Sequence, residues 1–423
     1  MPIPTITDLR AIEILDSRGR PTVSVSIRLD DGATATAGVP SGASTGSREA
    51  VEIRDGDPAR FGGLGVLRAV ASVNETLAPA VLGRSFSSSE ELDSELISID
   101  GTPTKSHLGA NAIVGVSMAF ARALATSAGR PLWQTLSPQV EPRLPVPHFN
   151  VVNGGAHAPN ALDFQEFMLA PLGASTLPDA VRAGAEVYSR LRALLLQRGL
   201  SAGLGDEGGF APELTRAEGV LALLAEAITA AGYEPGVDGV AIALDPAASE
   251  FYRDGTYLVA GQKLSSAEMV DYYGELVSAF PIWSIEDGLA EDDWDGWRHL
   301  TSTLGDRVQL MGDDIFVTDA ATIEHAAADG VGNSALIKLN QIGTVTETLA
   351  ALEMCRRVGF TAMISHRSGE TPDTFIADLA VASGCGQLKS GAPARGERVA
   401  KYNRLLTIAD ESPDVSFGLA GGH

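Results

Sequence analysis

The chain has 423 residues, with 31 basic and 54 acidic side chains and a formal net charge of −23. This length exceeds what one ordinary core needs, so we expect a domain of about 250 residues and a smaller one. The negative charge repels phosphate backbones and anionic lipids, so nucleic acid and membrane surfaces are not expected partners.

The first 135 residues predict a small α+β domain. An alternating stretch from Thr22 to Leu29 predicts an antiparallel strand, and helical patterns follow at 64–82, 89–97 and 109–128. The apolar stretch 107–129 contains Asn111 and Arg122, which favours a buried helix over a membrane span. We therefore expect an N-terminal capping domain over residues 1–135.

Four prolines between residues 136 and 147 predict an extended linker, so a second domain is expected over 140–423. The cysteines, Cys355 and Cys385, lack metal-site spacing, and charged residues near the N-terminus leave no secretory apolar segment. Both features favour a cytoplasmic protein.

The second part of the chain alternates short strand-like runs with helical stretches. Strands are predicted at 239–245, 282–287, 308–314, 334–340, 361–367 and 386–390. Such repeats favour a (β/α)₈ barrel, whose active sites lie at the carboxyl ends of the strands. An open doubly wound sheet is the alternative. The runs end in polar residues, which are Asp245, Glu286, Asp313, Lys338, His366 and Lys389.

Asp245, Glu286 and Asp313 give three carboxylates without a Cys or His cluster, a pattern typical of Mg²⁺ and not of zinc. Each could instead cap the helix that follows its strand. Lys338 falls at the barrel rim, where an unused charge is costly, and a lysine near a dication should have a lowered pKa and can act as a general base. Lys389 supplies a second positive charge or is a snorkelling rim lysine.

The loop 201–210 contains a formal G-x-G-x-x-G at Gly203, Gly205 and Gly208. Asp206 and Glu207 inside it would repel a pyrophosphate, and no strand precedes it, so a dinucleotide site is rejected. The glycines instead indicate hinges that expose Glu207 as a candidate acid.

Three other loops carry candidate residues that would be ambiguous alone. They are the Gly/Ser loop around Ser44, the segment with His157, Gln165 and Glu166, and the run His366, Arg367 and Ser368, which could bind a phosphate.

Together these stretches resemble the enolase family from about Arg10 to Ile408. The matching motifs are DSRGRPTV, PSGASTG, NGGAHA with EFM, GDEGGFAP, DPAASEFY, SIEDGL, GDDIFVT, LIKLNQIG, SHRSGET and KSGAPARGERVAKYN. The resemblance implies an enolase-type barrel of order ββαα(βα)₆ with an N-terminal capping domain. It also implies a lyase that interconverts 2-phosphoglycerate and phosphoenolpyruvate, acting as a homodimer or higher homo-oligomer.

The resemblance also implies roles for single residues. Lys338 matches the base that removes the C2 proton, Glu207 the acid that helps the C3 hydroxyl leave, and Glu166 its partner. Two Mg²⁺ ions are implied, with Asp245, Glu286 and Asp313 as ligands of one and Ser44 as a ligand of the other. The residues that would hold substrate are His157, Gln165, His366, Arg367, Ser368 and Lys389.

Two other functions fit the sequence. Departures from the family pattern, such as Pro372 where an acidic residue is usual, allow a paralogue resembling carboxyphosphonoenolpyruvate synthase. A structural or surface-binding protein without catalysis would tolerate change at Lys338 and Glu207, and the complete set of catalytic residues argues against it.

Overall fold

The computed structural model describes residues 3–42 and 46–419. The N-terminal part contains an antiparallel sheet with strand order β1-β2-β3. Its strands are β1 (Ile6–Leu15), β2 (Pro21–Leu29) and β3 (Thr34–Gly38). Its helices are α1 (Leu67–Ala71), α2 (Ala78–Val81), α3 (Ser89–Asp100), α4 (Ala110–Ser127) and α5 (Trp133–Leu136). A π-helical turn over Ser72–Leu77 joins α1 to α2.

The alternation in β2 places one face of the sheet against helix α4. Val23, Val25 and Ile27 are buried on that face, whereas Ser26 and Arg28 are exposed on the other. The apolar stretch predicted as a buried helix is α4, most of whose residues are buried in the core. Among the described residues, no helix combines the length and apolar character that crossing a bilayer requires.

The rest of the described chain builds the barrel and its surrounding helices. Its strands are β4 (Arg143–Leu144), β5 (Val146–Asn153), β6 (Glu166–Ala170), β7 (Ala241–Asp245), β8 (Tyr252–Arg253), β9 (Thr256–Val259), β10 (Gln262–Leu264), β11 (Ile282–Glu286), β12 (Gln309–Gly312), β13 (Ser334–Ile337), β14 (Thr361–Ser365), β15 (Gln387–Lys389) and β16 (Ser416–Phe417). Its helices are α6 (Leu177–Gln197), α7 (Ala217–Ala230), α8 (Ser266–Ala279), α9 (Trp294–Leu304), α10 (Ala320–Asp329), α11 (Leu339–Ile342), α12 (Val345–Val358), α13 (Phe375–Ser383) and α14 (Gly396–Glu411).

Eight of these strands close into a barrel, in the order β5-β6-β7-β11-β12-β13-β14-β15. The pairs β5–β6 and β6–β7 are antiparallel, and the other described barrel pairs are parallel. Helices α6 and α7 follow the first two strands, and six strand–helix units complete the ring. The predicted ββαα(βα)₆ order is therefore confirmed, and the open-sheet alternative is wrong.

The unusually long spacing between Asp245 and Glu286 has a structural cause. A separate antiparallel sheet of β8, β9 and β10 is inserted after β7 and before α8. This insertion lengthens one strand–helix unit without adding a strand to the barrel.

His148 on β5 lies inside the barrel with 0% exposure. Its Nε2 accepts a hydrogen bond from Trp283 Nε1 at 3.2 Å, and its Nδ1 lies 3.3 Å from the carbonyl oxygen of Val146. Burial lowers the pKa of His148 from 6.5 to about 4, because the charged ring cannot be hydrated there. The folded barrel therefore holds a neutral imidazole at neutral pH.

This neutral ring predicts a loss of stability in acid. Above pH 6.5 the His148 ring is neutral in both the folded and the unfolded chain, so its burial costs no stability. As the pH falls from 6.5 towards about 4, the ring gains a proton only in the unfolded chain, and the free energy of unfolding declines. We expect wild type to lose about 3 kcal/mol more of its free energy of unfolding across this window than His148→Gln. Urea titrations followed by circular dichroism at about pH 7 and pH 4 measure this difference. Equal losses in both proteins would contradict it.

Candidate active site

The predicted charged residues lie together at one opening of the barrel, where its parallel strands have their carboxyl ends; this opening is called the mouth. Asp245, Glu286 and Lys389 are the last residues of β7, β11 and β15. Asp313 and Lys338 directly follow β12 and β13. Parallel strands of one barrel end on the same side, so this grouping follows from the order of the strands.

Lys389 lies at the centre of a group of carboxylates. Its Nζ is 2.8 Å from both Oε atoms of Glu286, 3.1 Å from Asp245 Oδ2 and 3.2 Å from Glu166 Oε2. Burial alone would lower the pKa of Lys389, but these carboxylates raise it well above its ordinary value. Lys389 is thus a fixed positive charge and not a rim lysine that reaches solvent.

Lys338 forms an ion pair with Asp313 Oδ2. Burial acts to lower the pKa of Lys338, but the Asp313 charge outweighs it and the pKa is raised. The lowered pKa that the sequence predicts for Lys338 beside a bound dication stays a prediction. The other Asp313 oxygen accepts a 2.7 Å hydrogen bond from Gln341 Nε2, and Gln341 Oε1 accepts one from Thr318.

Glu166 reaches the same mouth although it begins its strand. Because β6 runs antiparallel to β7, Glu166 pairs with Asp245, the last residue of β7. The neighbouring Gln165 is 5% exposed, and its Oε1 has no hydrogen-bond partner among the described residues. The reversal of one strand thus adds an acid and an amide oxygen to the site.

Glu207 comes from the loop between α6 and α7, which folds back over the mouth. Phe210 N donates a 2.8 Å hydrogen bond to Val151 O on β5. Gly208 has a φ of +86°, and a Cβ on Gly209 would lie 2.7 Å from Asn153 Oδ1, so both positions require glycine. Glu207 is 2% exposed, so the expectation that the glycines expose it is wrong.

The two glutamates sit on either side of His157. His157 Nδ1 lies 3.5 Å from Glu166 Oε1 and 3.7 Å from Glu207 Oε1. Burial and the Glu207 charge raise the pKa of Glu166 well above its ordinary value. Burial also acts to raise the pKa of Glu207, but His366, His157 and Arg398 outweigh it and hold that pKa low. The pKa of Glu166 therefore lies above that of Glu207.

The turn after β14 carries the predicted phosphate-binding residues. Arg367 makes hydrogen bonds of 3.0 and 3.2 Å to the two Oε atoms of Glu49, and it also donates to Asn340 Oδ1. Ser368 Oγ lies 2.9 Å from His157 Nε2. This turn therefore joins the barrel mouth to the segment that follows the Gly/Ser loop.

The charges in the mouth fit a divalent metal. Four carboxylates of the mouth contact its two lysines; they are Asp313 at Lys338, and Glu166, Asp245 and Glu286 at Lys389. Burial, followed by the Asp245 charge, raises the pKa of Glu286 well above its ordinary value. The available ligand atoms, together with the unpaired Gln165 oxygen, are hard oxygens of the kind that Mg²⁺ prefers. Among the described residues, two clusters of three side chains have ligand atoms close enough to share an ion. One cluster is His157, Glu166 and Glu207, and the other is Asp287, Asp313 and Asp314.

Comparison with known proteins agrees with this geometry. The family model described as the enolase C-terminal TIM barrel domain matches residues 141–418, and the enolase N-terminal domain model matches residues 6–136. The enolase of Acidothermus cellulolyticus is 57% identical over 411 residues, which cover 97% of this chain and 95% of that protein. The chain belongs to the enolase family. As an enolase-family protein it is a hydro-lyase with a divalent-metal site.

The site contains residues for which the sequence assigned no role. Asp287, in SIEDGL, has a φ of +40° and accepts hydrogen bonds from the backbone N–H groups of Asp313 and Asp314 at 2.8 and 2.9 Å. Glu49 pairs with Arg367, and no pattern in the sequence distinguishes it from a surface acid. Ser44, the expected ligand of a second metal, lies outside the described residues.

Proposed function

We propose that this chain catalyses the reversible dehydration of 2-phosphoglycerate to phosphoenolpyruvate in glycolysis and gluconeogenesis. One observation carries the proposal beyond the family match. Lys338 follows β13 and Glu166 begins β6, which lies four strands away in the ring of eight. The proposed base, Lys338, therefore lies across the mouth from Glu166, the partner of the proposed acid Glu207. An elimination from opposite faces of a substrate requires this arrangement.

Lys338 is proposed to remove the C2 proton. This proton is very weakly acidic because its loss creates a dianionic aci-carboxylate. Asp245, Glu286 and Asp313 would hold a divalent cation, which would supply positive charge to stabilise this dianion. A lysine base with Mg²⁺ is an established pattern of the superfamily and not a finding of ours. Because Asp313 raises the pKa of Lys338, the lysine acts as a base only once Asp313 has another positive partner.

Glu207 is proposed to protonate the departing C3 hydroxyl, with Glu166 as its partner. Because burial and the Glu207 charge raise the pKa of Glu166, this carboxyl binds a proton more readily than Glu207 does. His157 Nδ1, within 3.7 Å of both carboxylates, is placed to pass this proton to Glu207. The fixed charge of Lys389 lies beside Glu166 and stabilises negative charge that develops on the substrate.

The remaining predicted residues are proposed to hold the substrate. Arg367 and Ser368 are suited to the phosphate, because a guanidinium binds two phosphate oxygens at once. The other proposed contacts are His157, Gln165, His366 and Lys389, and all six of these residues are buried around the mouth.

We further propose that the metal is Mg²⁺, with two ions per active site and Ser44 as a ligand of the second. The proposed domains are 1–135 and 140–423, and the gap between the matched ranges 6–136 and 141–418 supports this division. A homodimer or higher homo-oligomer in the cytoplasm is proposed from the family resemblance. Free Cys355 and Cys385 fit a reducing compartment.

The direct test is formation of phosphoenolpyruvate, followed by its ultraviolet absorbance, from 2-phosphoglycerate and Mg²⁺. We expect turnover that is abolished by chelation and restored by added Mg²⁺. Absence of turnover by folded, metal-loaded protein would sink the proposal.

A further inference from the structure

Arg398, in the first turn of α14, contacts both the turn after β14 and the loop that carries Glu207. It is 0% exposed. Its guanidinium donates to the carbonyl oxygens of Arg367 at 2.6 Å and Ser368 at 2.5 Å, and it also donates to the ring Nδ1 of His366. A weaker 3.4 Å contact reaches Asp206 O, next to Glu207.

The contact with His366 determines which ring nitrogen carries the proton. A guanidinium can only donate hydrogen bonds, so Nδ1 of His366 must accept. Burial lowers the pKa of His366 to about 3, so the ring is neutral at neutral pH and has a single N–H. That N–H is therefore on Nε2, which lies 3.2 Å from Glu207 Oε2.

The two oxygens of Glu207 consequently differ. Oε2 faces the Nε2–H of His366 and also accepts a 3.0 Å hydrogen bond from Asn150 Nδ2. Oε1 lies 3.7 Å from His157 Nδ1, on the side of Glu166. Oε2 thus accepts the Asn150 hydrogen bond and contacts the His366 ring, and Oε1 is the oxygen left to receive a proton.

We propose that Arg398 is a positioning residue that, through His366, selects Oε1 of Glu207 as the oxygen that delivers the proton. The inference rests on the proposed dehydration and deepens it. After Lys338 has taken the C2 proton, the C2 electron pair forms the C2–C3 double bond as the C3–O bond breaks. The Oε1–H bond of Glu207 breaks at the same time, its proton goes to the departing oxygen, and water leaves while Glu207 becomes a carboxylate.

The step in which Glu207 acts is separate from the step in which Lys338 acts, and this separation provides the test. Arg398→Lys keeps the charge, but one ammonium group cannot hold His366 Nδ1 and both carbonyl oxygens in the guanidinium geometry. We expect its dehydration rate to fall by about 100-fold. Exchange of the C2 proton of 2-phosphoglycerate with solvent deuterium should stay within about threefold of wild type, because exchange does not need the proton of Glu207.

Arg404→Lys is the matched control. Arg404 lies on the same helix and pairs with Asp378 at 2.7 and 2.9 Å, away from the mouth. We expect both of its rates to equal those of wild type. Equal losses of dehydration and exchange in Arg398→Lys would show a general structural role and overturn the inference, as would unchanged dehydration. Absence of dehydration by wild type would instead count against the proposed function.

A second measurement does not depend on activity. In ¹⁵N-labelled wild type, the His366 signals, assigned by their loss in His366→Gln, should show a neutral ring protonated at Nε2 with Nδ1 accepting. Protonation at Nδ1 would overturn the inference. In Arg398→Lys this tautomer should no longer be the sole form.

Discussion

Lys338→Ala is expected to stop exchange of the C2 proton of 2-phosphoglycerate with solvent. The variant removes the only group on that side of the proposed mechanism that takes the proton, and loss of a general base costs up to about 10⁴-fold in rate. Deuterium incorporation at C2, followed by NMR, measures this step directly. Phosphoenolpyruvate formation should fall equally, because it depends on the same step.

Folding needs its own control, because removing Lys338 leaves the buried Asp313 without its ion pair. Loss of one partner of a buried pair costs about 3–5 kcal/mol. Lys338→Gln retains a hydrogen-bond donor for Asp313 but cannot take a proton, so it should fold more stably and remain inactive. Lys263→Ala changes an exposed lysine on β10 and should match wild type. Exchange at the wild-type rate in a folded Lys338 variant would mean that another base acts.

Glu286→Gln is expected to weaken Mg²⁺ binding by more than about 100-fold. Changes in residues that only support metal ligands already cost about 10–100-fold, and this variant removes a full negative charge from a proposed ligand. The amide keeps an oxygen that can accept from Lys389 Nζ, so the packing of the site changes little. Isothermal titration calorimetry with Mg²⁺ measures affinity without reference to turnover.

Glu275→Gln is a matched control, because Glu275 is an exposed glutamate on α8 and its change alters the net charge by the same amount. Its Mg²⁺ affinity should equal that of wild type. Equal weakening in both variants would indicate a general effect of charge. Unchanged affinity in Glu286→Gln would remove Glu286 from the proposed ligand set.

The spacing of polar residues in the sequence is enough to predict which strand ends lie together, because parallel strands of a barrel all end on the same side. Asp245, Glu286 and Lys389 can therefore be grouped from their positions in the chain alone. Glu166 cannot be found this way, since it begins an antiparallel strand. Glu207 belongs to a loop, and only the family motif indicates it.

The electrostatics of the site are harder to predict than its residues. The pKa of Lys338 depends on its ion pair with Asp313, and the positions of the Glu166 and Glu207 protons depend on His157 and on the turn after β14. These contacts join segments far apart in the chain. Arg398 illustrates the same limit, because its helical position in the sequence resembles that of an ordinary exposed arginine.

The central position of Lys389 has a consequence for how the chain is synthesised. Lys389 lies on the last strand of the barrel, and its pairing with His148 of β5 closes the ring. The carboxylates that it neutralises belong to strands made earlier, so a nascent chain carries their charges without this partner. Contacts over such long sequence separations form slowly. The barrel therefore cannot close, and the active site cannot be completed, until β15 has been synthesised.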